Sequence, residues 1–564
     1  MPTLKPRTPR ARRSAGPSPA TGWVIAIGLA SLLMGCAGAA SEGPDLIFTG
    51  GAIYALGDSD SPVGALAIRG DSILAIGSRS EILALATDDT QVMELDEECV
   101  LPGFFDAWID PLALGRWSEA PLDLRLAMTL EEVQAMVRNA SAGGSGDDWL
   151  LGWGWNESLW PDPVLPTHEA LDAVVADRPV ALFRRAGKVA WLNRAAMQFL
   201  DLDAEEGVLR RDDGSPTGIL LGSAVDALEA RVPGIDQQQR QEWISRGLQL
   251  AASMGLTSVA TAPITDAEID AYVALERESL LPVRVHMRIS PDHADSGAIS
   301  EKPLLGVEAI GVRVDGPFTA RLAALDEPYA DADAEGVLQI SPAALSQAAE
   351  IANARGMPLH LHAQGDRAVA LALDALTQTD VAGMLVGSDL PPSDWLEAAR
   401  SIDLTVALVP LRFSHDVYWL EQRLGPTRSE RSHRWREIVA SGIPWIIASD
   451  APAYPLEPFE GILTLTTRRN AEGYPASGWY PDQGVGRSLA LRATVGPQGL
   501  APDAVLSPGA PADIVVWSEN PLAAEADDDT LRRAEVLLTI VAGRVVYSRA
   551  LVDLPMSNES GSQK

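Results

Sequence analysis

The sequence predicts an α/β protein, a (β/α)8 TIM-type barrel carrying a small β-sandwich formed from both terminal segments. Three observations predict it. Between roughly residues 100 and 500, short apolar runs alternate with amphipathic stretches, and repeated β-then-α units argue for a parallel sheet closed as an elaborated barrel. Near each end, short strand-like runs lie between glycines, and neither set has enough strands to bury its own apolar face, so the two sets should pair. No GxGxxG phosphate loop follows a strand, which disfavours a doubly wound open sheet as the alternative.

The chain opens with a basic segment containing Lys5, Arg7, Arg10, Arg12 and Arg13, followed by an apolar run at 23–34 and then Gly35 and Cys36. A run of about a dozen residues is too short to cross about 30 Å of hydrocarbon as a helix. A basic region, a short apolar core and a small residue at the cut are the parts of a secretory signal. The segment Leu33, Met34, Gly35, Cys36 resembles a bacterial lipobox, so residues 1–36 are expected to be a lipoprotein signal peptide with Cys36 lipidated. The expected location is the cell envelope, lipid-anchored at the outer membrane and facing the periplasm, with Ala37 after the cysteine. The body of the chain would then stay in water beside the membrane. Cys99, the only other cysteine, would be a buried free thiol.

Residues 37–44 read as a linker. Segments 45–98 and 503–550 read as the β-sandwich, 99–502 as the barrel, and 551–564 as a polar, disordered tail. Strands are expected at 99–105, 149–153, 180–183, 258–260, 283–288, 309–314, 357–361, 404–409 and 445–448. Helices are expected at 129–140, 236–254, 342–354 and 395–401. The 564 residues carry 77 acidic against 44 basic side chains, a net charge of −33. Such a surface repels nucleic acid, whose phosphates need cationic partners, and keeps the protein in solution by self-repulsion.

Barrel sites lie where strands end. In the segment PLHLHAQGDRA at 358–368, His360 and His362 are two apart on an expected strand and face the same side. They suit a divalent metal or hydrogen-bonded polar positions at a strand end. In WIIASDAP at 445–452, Asp450 ends an apolar strand. A carboxylate there binds metal, takes a proton from water, or serves a turn. Of the other histidines, His168 is expected at the surface, and His415 and His433 at the surface or lining a pocket.

These two segments, with others, resemble the N-substituted formamide deformylase-like branch of the amidohydrolase superfamily. The further matching stretches are LPGFFDA at 101–107, GWGWN at 152–156 with Trp160, DRPV at 177–180 and GSPTG at 214–218. Asp315 and Gly316 with RLAAL at 321–325, and LSPGAPADIVV at 506–516, complete the set. The likeness spans nearly all of 45–550. It implies a metal-dependent barrel with a sandwich from both termini, and hydrolysis of non-peptide C–N bonds in small molecules. Zinc or another divalent metal would activate water, with Asp450 handling the proton.

The resemblance breaks at the metal-facing positions. The family's HxH pair after the first strand reads Trp108 and Asp110. Its D-G-H reads Ala186, Gly187, Lys188. Its acidic residue after the T-G segment reads Gly222, its lysine before D-G reads Gly311, and a later histidine reads Gly387. His362 and Asp450 remain, with Asp110 and His360 as substitute ligands. Lys188 is expected to occupy the metal's electrostatic place, facing Asp110, Asp450 or both. Trp108 should fill and dry the pocket, with Trp153, Trp155, Lys188 and Arg321 as further pocket residues. Two readings follow: a hydrolase with an altered metal set, or no metal at all, in a non-catalytic barrel that binds a small ligand or a protein partner.

Overall fold

The computed structural model describes residues 43–549 except 58–60, 119–121, 143–147, 187, 201–206, 230, 233–235, 294–302, 497–504 and 524–525. The chain divides into two units, Met1–Glu42 and Gly43–Lys564. The expected signal peptide, Cys36, the first residues of the linker, Gly187 and the tail at 551–564 lie outside the described residues.

Eight strands pair in parallel, each beside its predecessor in the chain. They are β1 (Phe104–Ile109), β2 (Leu256–Ile264), β3 (Arg284–Ile289), β4 (Leu305–Arg313), β5 (Leu359–Ala363), β6 (Gly383–Gly387), β7 (Leu404–Leu408) and β8 (Trp445–Ile447). The barrel closes just past β8, where Ile109 and Ala451 form a parallel bridge and the Asp450 amide donates to the Trp108 carbonyl at 2.9 Å. Every residue of β1, β5 and β6 is buried, because helices cover one face and the packed barrel interior covers the other. This explains why these strands read as apolar runs without alternation. The strand β6 was absent from the expected set. Its sequence GMLVG has glycine at both ends and only one β-branched residue, so its strand signal is weak.

Two expected strands, 149–153 and 180–183, are not barrel staves. Leu150–Trp155 and Val180–Arg184 belong to a separate five-stranded sheet with Val189–Leu192, Pro216–Leu221 and Val208–Arg210, inserted between β1 and β2. The strand Val180–Arg184 turns directly into an antiparallel partner, a pairing that an all-parallel barrel has no place for. The insert has its own core, including Leu124, Val137, Trp155, Leu182 and Trp191.

The ends of the chain pair as expected. Gln91–Pro102 runs antiparallel to Ile514–Trp517, within one continuous seven-stranded sheet that also holds three N-terminal and two C-terminal strands. Phe48, Leu66, Val100, Ile514 and Ile540 share its core. The expected strand at 99–105 is divided between this sheet and β1. Trp517 packs on Phe104 of β1 and on Phe459, with ring centroids 5.3 and 4.3 Å away, and so ties the terminal sheet to the barrel. Cys99 is buried and free, and burial pushes its thiol far up, which leaves it inert. No helix among the described residues is long and apolar enough to cross a membrane.

Candidate functional site

The barrel end where β4, β5 and β7 finish brings together His362, Asp450, Arg313 and Arg412. Strand register does much of this work. Arg313 on β4 is the Cα partner of His362 on β5, and Gly311 is the partner of His360. Arg412 follows β7, in the helix Pro410–Asp416. Asp450 follows β8 in a left-handed backbone conformation, φ 54°.

Arg412 is fully buried and sits between the acids and the imidazole. Its Nη1 donates to Asp389 Oδ2 at 2.5 Å. Its Nη2 donates to Asp450 Oδ2 at 2.9 Å and to His362 Nε2 at 2.8 Å. A guanidinium has donors only, so Nε2 is the acceptor and the ring proton lies on Nδ1. Asp450, 3.7 Å from Nε2, is beyond hydrogen-bond reach. Arg313 adds a second cation 3.5 Å from Asp450. Burial alone would raise the Asp450 carboxyl, but the charges of Arg313 and Arg412 hold it well below the ordinary range. Burial, with the charges of Arg412 and Arg313 added, pushes His362 down to about 4 against the pull of Asp450.

His360 is engaged in the same way one layer deeper. Arg288, also fully buried, donates from Nε to His360 Nδ1 at 2.6 Å and from Nη1 to the Ala107 carbonyl at 2.5 Å. Glu308 lies 3.5 Å from its Nη2. Trp108 lies between the two layers and is fully buried. Its ring is 5.5 Å from that of His362, with the Arg288 and Arg313 guanidiniums 5.2 and 5.3 Å from its centroid, a cation–π arrangement on a buried indole.

This donor set does not fit a metal. On both histidines, the ring lone pair that a metal would take is used by a guanidinium N–H. Two buried cations stand where a divalent ion would need anionic or neutral ligands. No group of three or more His, Cys, Asp or Glu side chains able to hold a metal ion occurs among the described residues. Asp110 does not converge on Asp450: its Oδ1 accepts from the Ala113 amide at 2.9 Å, capping the first turn of Pro111–Ser118. Lys188 does not fill the metal's place. It is exposed, and its charge acts on Asp110 and Glu268. The cations beside Asp450 are Arg412 and Arg313.

The other expected pocket residues serve packing. Trp153 and Trp155 were expected to line the pocket. Gly154 between them has φ 104°, the pairing register shifts there, and the two rings turn into different cores. Trp155 donates to the Leu182 carbonyl at 2.9 Å, and Trp153 stacks on Trp117. Arg321 is taken by Asp331, at 3.1 and 2.8 Å. His168 and His433 are buried; a surface position was expected for His168, and a surface or pocket position for His433. His168 pairs with Asp172 at 2.9 Å, and His433 packs on Phe413. His415 is partly buried, its Nε2 3.3 Å from Arg185 Nη2.

The residues missed were Arg288, Arg313 and Arg412. Each stands at or just after an apolar run, where the site residues were sought. Arginine, with donors only, belongs to no metal-ligand pattern. Gly387 carried a second signal. A Cβ on it would lie 2.8 Å from Arg412 Nη1 and 2.9 Å from the Ala363 carbonyl oxygen, so the position where the family pattern has histidine is the space the guanidinium uses.

One consequence is spectroscopic. In 15N-resolved spectra, His362 should remain the neutral Nδ1–H tautomer from pH 8 down to about 5, because its folded pKa is depressed below about 6.5. An Nε2–H ring in that range would contradict the Arg412 bond.

The model of the amidohydrolase family matches residues 91–547. YtcJ of Bacillus subtilis (strain 168), named as an amidohydrolase, is 26% identical over 89% of this chain and 99% of its own. N-substituted formamide deformylase of Arthrobacter pascens is 23% identical over 90% of this chain and 98% of its own. A solved structure of an uncharacterized metal-dependent hydrolase from Pyrococcus furiosus superposes with a TM-score of 0.67 at 26% identity, covering 85% of this chain and all of that one.

Proposed function

The chain belongs to the amidohydrolase family and is similar in structure to a metal-dependent hydrolase, and we propose that it is a non-hydrolytic member that binds a small ligand at its barrel mouth without a metal. A divalent metal is what such neighbours suggest for a working hydrolase. The single observation carrying our reading is Arg412, bonded at once to Asp389, Asp450 and His362. It gives the acids a permanent counter-charge and takes the imidazole lone pair. Asp450, held well below the ordinary carboxylate range, is too weak a base to draw a proton from water near neutral pH. In this reading it anchors two guanidiniums. The lipobox-like leader belongs to the same proposal: a lipid on Cys36 would tether the body at the envelope.

The test is turnover. The purified protein, with and without added zinc or manganese, should hydrolyse neither N-substituted formamides nor simple amides above a protein-free control. Saturable hydrolysis abolished by Asp450→Asn would overturn the proposal.

A further inference from the structure

The loops after β7 and β8 carry a surface feature that the central site does not use. Of the eight tyrosines in the chain, only Tyr418 and Tyr474 are exposed, at 54 and 46%. These two stack on each other, with ring centroids 4.9 Å apart and planes 16° apart. They come from different loops. Tyr418 lies just past the helix Pro410–Asp416 that follows β7, and Tyr474 lies in the loop after β8.

Both rings are held in place. Val417 and Trp419, on either side of Tyr418, are buried. The tip of the second loop is closed by Asn470, itself buried. Its Oδ1 accepts from the Glu472 amide at 3.1 Å and from the Tyr474 amide at 2.8 Å, and its own amide donates to the Tyr474 carbonyl at 2.8 Å. The Tyr418 hydroxyl then donates to the Glu472 carboxylate at 3.3 Å, which joins the two loops. Exposed rings on fixed loops lose little entropy when something binds to them, and tyrosine is enriched where proteins meet.

The exposed charge around the rings has one sign. In segments 417–431 and 469–483 the exposed charged side chains are Glu421, Glu430, Glu472 and Asp482. Burial and the charges of Glu421 and Glu430 raise the hydroxyl of Tyr480, which puts these acids beside a third aromatic ring. The arginines of the same segments are less exposed. Arg423 is buried and Arg469 half-buried. Arg428 donates to the carbonyls of Leu424, Glu327 and Pro328, and Arg431 lies 3.8 Å from Asp366. Exposed Arg436, from the neighbouring helix, donates to the Asp482 carbonyl at 3.2 Å.

We propose that this face docks a lysine- and arginine-rich segment of another protein, whose cationic side chains lie on the outer faces of Tyr418 and Tyr474 and pair with Glu472. An aromatic face attracts a cation through its quadrupole, and a carboxylate at the ring's edge supplies the counter-charge. The same groups repel an acidic partner and leave an apolar one with unpaired carboxylates to desolvate. The inference concerns the outer surface and does not rest on the small-ligand reading of the barrel mouth.

The experiment is fluorescence anisotropy of a labelled hexaarginine peptide titrated with the purified full chain at about 0.15 M salt, where long-range attraction to the acidic surface is screened. The peptide should saturate with one site per chain, and hexaglutamate should not bind. Tyr474→Ser and Glu472→Gln should each weaken hexaarginine about tenfold, the loss of one cation–π contact or charge pair, while melting like the parent. Tyr418→Ser serves if Tyr474→Ser fails to fold. The tyrosine variants change no charge at neutral pH, so their loss cannot come from overall acidity. Asp88→Asn with Asp89→Asn removes two exposed acids of the terminal sheet domain and should leave the affinity unchanged. No saturation by the peptide, or binding that the folded tyrosine variants do not weaken, would overturn the proposal; the second result would mean attraction to net charge alone.

Discussion

Replacing Arg412 with methionine should cost the folded state about 3–5 kcal/mol, because removing one partner of a buried ion network leaves the others charged and unpaired. Asp389 would keep His433 Nε2 at 3.6 Å, and Asp450 would keep Arg313 at 3.5 Å and His362 Nε2 at 3.7 Å. Urea unfolding monitored by tryptophan fluorescence reads the loss. The pH dependence has a definite sign. Asp450 has a depressed folded pKa, so its pairing stabilises the parent fully above the unfolded value of about 3.9 and is lost as pH falls through the folded value. In the variant, Asp450 loses one of the two charges that hold its carboxyl down and protonates more readily. The deficit should be largest near pH 7 and shrink toward pH 4. Arg412→Lys keeps the charge but not the fork, and should recover only part of the loss. A methionine variant as stable as the parent at pH 7 would mean that the network contributes nothing net.

The second large effect is expected at Gly387. Alanine there would meet Arg412 Nη1 at 2.8 Å and the Ala363 carbonyl oxygen at 2.9 Å, in a backbone conformation with φ +97°. The strained dihedral and the overpacking together should cost about 2–4 kcal/mol. Combined with Arg412→Met, the steric part due to the guanidinium disappears and the backbone part stays. The double variant should therefore be less destabilised than the sum of the two, by about 0.5–2 kcal/mol. Strict additivity would show that Gly387 is not reserved for Arg412.

The barrel and the pairing of the two ends were legible because both are written in local patterns: buried parallel strands as apolar runs, and terminal strands between turn glycines. The inserted sheet was not. Leu150–Trp155 and Val180–Arg184 are as apolar as barrel staves, and only the long-range pairing separates them. The strand Gly383–Gly387 was lost for want of β-branched residues. At the site, the placement of His362 near Asp450 followed from strand-end logic. That Arg412 would stand between them could not be read. Lys188 occupies a ligand position in the sequence pattern, but its turn carries it outward. Arg412 lies 50 residues from His362 in the chain, and its reach into the barrel depends on the space left by Gly387, a tertiary fact no local window contains. The same holds for Trp153 and Trp155, whose two-residue spacing implies one face until Gly154 breaks the strand's alternation.

The central claim is that a guanidinium holds the place of a metal. The most direct test is zinc content and zinc affinity of the purified protein, by inductively coupled plasma mass spectrometry after equilibrium dialysis against micromolar zinc. The account predicts well under one zinc per chain, unchanged by His362→Ala. One tightly held zinc per chain, lost in His362→Ala and in Asp450→Asn, would contradict it.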